Sequence, residues 1–146
     1  MAADGRGLPL SIVVTAGNVN DCTAFPDVLE AIRVPRAGRG RPRCRPVRLI
    51  ADKAYSSAAI RRSLRERGIA ATIPERADQK AGRARRGSRG GRPPVFDPNV
   101  YRRRNVVERC IGRLKQWRGI ATRFDKLARN YRAGIVLVTV LLWINT

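Results

Sequence analysis

The chain has 146 residues, 31 Lys+Arg against 11 Asp+Glu for a formal net charge of +20, and no histidine. The length predicts one domain with a modest core, and the charge makes a polyanion, nucleic acid first, the default partner. The lack of histidine excludes Ser-His-Asp and Cys-His pairs, His-ligated zinc or haem, and an imidazole base, which leaves carboxylates, lysine, tyrosine and cysteine.

Residues 4–7 (Asp-Gly-Arg-Gly) form a strong turn signal, and the apolar run 8–15 (LPLSIVVT) reads as the strand that follows it. Only residues 1–3 precede that turn, so the first strand of the expected hairpin is a stub. Asn18 to Asp21 offers capping side chains ahead of Phe25, Val28, Leu29 and Ile32, whose i, i+3, i+4, i+7 spacing predicts an amphipathic helix. Residues 36–46 are a Gly/Pro/Arg loop. Then a short buried strand at 47–51 ends at Asp52, a helix at 57–67 stops at Gly68, and a strand at 69–73 is closed by Pro74. This is a βαβ unit with a parallel strand pair, and in such sheets chemistry gathers at the carboxyl ends of strands, where Asp52 sits.

Residues 75–96 are rich in Arg and Gly with few large apolar groups, so they are expected to form a flexible basic loop. Composition leaves two readings open: a solvated linker, or an arm that tracks a DNA backbone. Asp97-Pro98 sets an N-cap and first turn for a helix reaching about residue 117. A last helix at about 130–144 is apolar nearly all round and is expected to be buried. Its run 135–144 is about half the length of a bilayer span, and residues 1–7 carry no basic-then-apolar leader. Cys22, Cys44 and Cys110 are too far apart for a CxxC pair and odd in number, which suits a reducing cytoplasm.

On the long helix, Val100, Val107, Cys110, Ile111 and Leu114 make a core-facing stripe, and Tyr101, Arg104, Glu108 and Lys115 an adjacent, half-buried one. Glu108 is the one acid of that helix after its cap, among Arg102, Arg103, Arg104, Arg109 and Arg113. It either pairs with Arg104 one turn back, worth roughly 0.2–0.5 kcal/mol, or joins Asp52 in holding a divalent metal. Mg²⁺ takes hard oxygen ligands, and two-metal phosphoryl transfer uses carboxylates on neighbouring elements without any histidine.

Tyr101-x-x-Arg104-x-x-x-Glu108, with Lys115 after six further residues, resembles the Y-R-E-K signature of bacterial insertion-sequence transposases of the DDE class. Residues 49–55 (LIADKAY) are similar to the segment around the second acidic residue of that class. The resemblance extends through residues 4–9, 15–18, 68–74, 89–93 and 118–126, over essentially the whole chain. It implies an RNase H-like fold, a mixed α/β sheet with flanking helices and the first strand missing or truncated, as one partial catalytic domain. It further implies DNA cleavage and strand transfer with Mg²⁺ (Mn²⁺ as substitute), Asp52 and Glu108 as catalytic, metal-binding carboxylates, and Tyr101, Arg104 and Lys115 placing DNA phosphates. Arg85, Arg86, Arg89 and Arg92 in the basic loop are further DNA-contact candidates. The class has a first catalytic Asp upstream of the segment matched by residues 4–7, and Asp4 matches the turn residue instead. The resemblance therefore implies an N-terminally truncated form with little activity alone, partnered by DNA at transposon ends and target, and by a second copy or an upstream transposase fragment. No membrane partner is expected, and the location expected is the cytoplasm, with the nucleoid. The reading that competes with it is a non-enzymatic, basic nucleic-acid-binding protein.

Overall fold

A computed structural model describes residues 1–145. The chain forms two compact units, one built of Met1–Cys44 with the chain from Asn105 onward, the other of Arg45–Arg104.

The first unit opens on a reversal made by one side chain. Asp4 Oδ1 accepts the N–H groups of Arg6 at 2.9 Å and Leu8 at 2.8 Å, and Gly7 takes a φ of +84° that costs glycine nothing. The turn pairs β1 (Ala2–Ala3) antiparallel with β2 (Pro9–Ser11). The strand expected over 8–15 is thus three residues long. In α1 (Phe25–Glu30) the predicted spacing holds, with Phe25, Leu29 and the following Ile32 buried, but the capping expected of residues 18–21 does not: the N-cap is Ala24, with no side-chain hydrogen bond. Ser11 Oγ donates to the Val28 carbonyl at 2.7 Å and ties β2 to this helix. Residues 36–46 form the expected loop, stiffened by an antiparallel bridge between Val34 and Arg43.

Three more helices complete the unit: α5 (Asn105–Lys115), α6 (Arg118–Ala121) and α7 (Ala128–Ile144). Leu114, Ile120, Ile135 and Val138 form a buried cluster with Met1, Ile12, Val14, Tyr131 and Leu142 packed against it. Each such side chain contributes roughly 1.5–3 kcal/mol when taken out of water. Tyr131 Oη donates to the Ile120 carbonyl at 3.1 Å and Trp143 Nε1 to the Pro9 carbonyl at 2.9 Å, which pins α7 to α6 and to the N-terminal hairpin.

Two expectations for this unit need correction. The last helix is not buried all round: Ile135 and Val138 are, but Leu137 is 68% and Ile144 72% exposed, with Val136, Val140 and Leu141 also exposed. Apolar composition says which residues tolerate burial, and the number of packed neighbours decides which receive it. Ile111, placed on the core stripe by its spacing, is exposed, because the buried line of α5 runs through Cys110 and Leu114. Burial pushes the Cys110 thiol up, which keeps it protonated, and all three cysteines are free. No helix among the described residues is long and apolar enough to cross a membrane.

The second unit is the predicted βαβ element, but its first strand is not buried as expected: Val47 and Arg48 are exposed and Leu49 and Ile50 half-buried. β3 (Arg48–Ile50) pairs parallel with β4 (Ala70–Thr72), with Leu49 opposite Ala71. Between them α2 (Ala58–Glu66) is capped by Ser57 Oγ, which accepts the Ile60 N–H at 3.2 Å, and buries Ile60 and Leu64. Gly68 ends it at φ +64°, and the Ile69 N–H closes back on the Leu64 carbonyl at 2.8 Å.

The segment 75–96, expected as a loop throughout, contains helix α3 (Ala77–Arg85) and a 3-10 turn over Gly87–Gly90. α3 buries no residue; side-chain hydrogen bonds hold it, so counting apolar residues missed it. α4 (Pro98–Tyr101) starts as predicted, with Asp97 Oδ1 accepting from Asn99 at 2.9 Å and Val100 at 3.2 Å. The helix expected over 98–117 is divided: α4, a 3-10 turn at Arg102–Arg104, then α5.

Candidate functional site

In the second unit, Asp52 follows the carboxyl end of β3 and is the N-cap of the 3-10 turn Lys53–Tyr55. One carboxylate oxygen accepts the Lys53 N–H. The other faces the Arg104 guanidinium at 3.7 Å, and the Asp52 side chain stays 46% exposed. Arg104 in turn lies over the Tyr101 ring at 6.0 Å, and Tyr101 is tilted against Phe96 with centroids 5.3 Å apart. Tyr101, Arg104 and Asp52 are therefore gathered in one unit, around a carboxylate that stays partly exposed. That donor suits a hard divalent cation that keeps several waters.

The basic segment belongs to the same unit. Arg85 closes α3, Arg89 lies in the 3-10 turn, and Arg85, Arg86, Arg89 and Arg92 are all exposed. Beneath them Glu75 binds the Arg83 guanidinium through both carboxylate oxygens, 2.6 Å for one of the two. That bond holds the Glu75 carboxyl below the usual glutamate range, with the Arg83, Arg61 and Lys80 charges acting in the same direction.

In the first unit, Glu108 lies in the first turn of α5, where the helix dipole favours an anion, and Lys115 closes the helix. Both are exposed rather than half-buried as their stripe predicted, whereas Tyr101 and Arg104 are half-buried. A different face of α5 borders an open groove, lined by Arg6, Gly7, Val106, Arg109, Gly112, Arg113 and Gln116 and by neither Glu108 nor Lys115. Arg113 donates to the Gly7 carbonyl, and Arg6 sits over Trp143 at 5.9 Å. Among the described residues no three Asp, Glu, Cys or His side chains are gathered as a metal-holding group.

Sequence reasoning missed the residues that fasten α3, namely Ser56, Arg61, Glu75, Gln79 and Arg83. One local signal existed: Gln79 stands three residues after Arg76, the position from which a glutamine side chain reaches back to a helix N-terminus. Its Oε1 accepts the Arg76 N–H at 3.3 Å.

Comparison with known proteins agrees with the resemblance to insertion-sequence transposases of the DDE class. Residues 1–143 match the family model described as the transposase DDE domain. A protein described as the transposase for insertion sequence element IS402, from Burkholderia cepacia, is 34% identical over 146 residues, all of this chain and 62% of the relative. One described as the transposase for insertion sequence element IS6501, from Brucella ovis, is 27% identical over 142 residues, 97% of this chain and 93% of the relative. The chain thus spans about six tenths of the first relative's length. No solved structure matches.

Proposed function

We propose, from the premise that this chain belongs to the family of insertion-sequence transposases with a DDE domain, that it takes part in metal-dependent cleavage and strand transfer of DNA. The observation that carries this reading is Asp52: a half-exposed carboxylate at the carboxyl end of a parallel strand, with an arginine at 3.7 Å. Both units are read as parts of one RNase H-like domain, although in place of the single mixed sheet expected the strands form two separate two-stranded sheets, β1–β2 antiparallel and β3–β4 parallel.

Asp52 and Glu108 are each assigned as a metal-binding carboxylate, for Mg²⁺ or Mn²⁺. When bound, such an ion supplies Lewis-acid stabilisation of the scissile phosphate and lowers the pKa of the attacking hydroxyl. The chain's own groups supply the positioning. Arg104, now against Asp52, is at hand for a phosphate oxygen, and it lies over the Tyr101 ring at 6.0 Å. Lys115 and Arg85, Arg86, Arg89 and Arg92 hold the sugar–phosphate backbone, which fixes register without reading sequence. The class uses three carboxylates, of which two are assigned, and a second copy of the chain or another transposase fragment is the protein partner proposed.

The rival reading, a bare nucleic-acid binder, draws on the +20 charge, and a binding assay separates the two. Affinity for a duplex carrying an insertion-sequence end is measured by fluorescence anisotropy with and without Mg²⁺. A transposase gains affinity with the ion and loses that gain in Glu108→Gln. A bare binder is indifferent to both.

A further inference from the structure

The basic segment is fastened at two points, one of them on the turn that Asp52 caps. Ser56 closes that turn through its N–H on the Lys53 carbonyl at 3.1 Å, and it is buried. Its hydroxyl donates to Gln79 Oε1 at 2.6 Å, and its carbonyl accepts from Gln79 Nε2 at 2.7 Å, so Gln79 of α3 grips both the side chain and the backbone of Ser56. Arg61 of α2 donates to the same hydroxyl at 3.1 Å and to the Ile73 carbonyl at 2.8 Å, which ties the junction to α2 and to the end of β4. The second fastening is the two-pronged Glu75–Arg83 pair. Beyond it the 3-10 turn folds back on α3 so closely that a Cβ on Gly90 would run into the Arg83 carbonyl.

A linker made only of solvated arginines would have to be ordered each time it met a partner, at a cost in affinity. A braced one is ordered beforehand. We infer that Gln79 and the Glu75–Arg83 pair are positioning residues that hold the basic tip 85–92 in fixed register with the Asp52 turn. A sugar–phosphate backbone gripped by Arg85, Arg86, Arg89 and Arg92 is then presented at a set place relative to Asp52. This rests on the reading that those arginines contact DNA, and it assigns a task to residues that touch neither DNA nor metal.

The test combines amide hydrogen exchange with anisotropy on a fluorescein-labelled duplex, using the full chain. In the wild type the α3 amides, such as Lys80 N–H on the Arg76 carbonyl, exchange slowly. In Gln79→Ala and in Glu75→Gln the α3 amides lose protection while those of α2 keep it. DNA affinity falls about tenfold, the cost of ordering one or two more side chains on binding. Gln79→Glu, which keeps the acceptor for Ser56 Oγ, recovers part of the loss. Replacing Arg85, Arg86, Arg89 and Arg92 together by alanine lowers affinity with α3 protection intact. Fast exchange of α3 in the wild type overturns the inference, as does unchanged affinity in variants that have lost α3 protection. If Gln79→Ala also loses α2 protection, Glu75→Gln decides. Unchanged affinity in the fourfold arginine variant would instead defeat the DNA reading of the segment, while exchange still reports the brace.

Discussion

Asp52 caps a turn and is proposed to hold a metal ion, and the two roles can be separated. As an N-cap it needs a short side-chain acceptor, which asparagine supplies about as well. As a charged ligand it needs the carboxylate. Asp52→Asn is therefore expected to leave thermal stability within about 0.5 kcal/mol of wild type while abolishing any metal-dependent activity on DNA. Gly7 is a different kind of position. At φ +84° a Cβ there would lie 2.8 Å from the Arg113 guanidinium and 3.3 Å from Val106 Cγ1, whereas a Cβ on Gly5 meets nothing within 4 Å. Gly7→Ala is expected to cost about 1–3 kcal/mol and Gly5→Ala close to nothing, as read by denaturant melts. Glu75 gives a pH dependence. Its carboxyl is held below the ordinary glutamate range by Arg83, so the unfolded chain binds the proton first as pH falls. The contribution of the pair is complete above about pH 4.3 and fades as pH drops through the lower folded value. Glu75→Gln should flatten that part of the acid-unfolding curve. At this scale much of the local chemistry was legible: the Asp4 turn, the Gly68 stop and the Asp97 cap all form, although the caps expected from residues 18–21 do not. The approach of Arg104 to Asp52 was not legible, because the two are far apart in the chain and helical spacing pointed only to Glu108.

At the scale of elements, β3–α2–β4 was readable because its strands are short apolar runs, its helix has a cap and a glycine stop, and nothing else interrupts it. α3 was not readable, since its stability comes from Ser56, Gln79 and the Glu75–Arg83 pair rather than from apolar periodicity. α7 was readable as a helix and misread in its environment. Its buried line is narrow, so Ile135→Ala should cost about 2–5 kcal/mol while Leu137→Ala, at a position 68% exposed, should stay within about 0.5 kcal/mol. Urea unfolding followed by circular dichroism distinguishes the two. Equal costs would mean that Leu137 is covered in solution.

For the molecule as a whole, +20 in 146 residues first implies only a polyanionic partner. The proposed function narrows that partner to DNA, and the structure gives part of that charge definite places: a braced basic segment beside the Asp52 turn in one unit and an arginine-edged groove on α5 in the other. Affinity for duplex DNA should fall steeply with salt, by about a thousandfold or more between roughly 50 and 200 mM if six or more phosphates are contacted. That dependence is common to a transposase and to a bare binder, so it cannot choose between them. The measurement that chooses most directly is a manganese titration of the chain without DNA, with free Mn²⁺ followed by its electron paramagnetic resonance signal. If Asp52 holds a divalent cation, the wild type binds Mn²⁺ and Asp52→Asn binds it at least about tenfold more weakly. Indistinguishable binding by the two proteins would contradict the assignment.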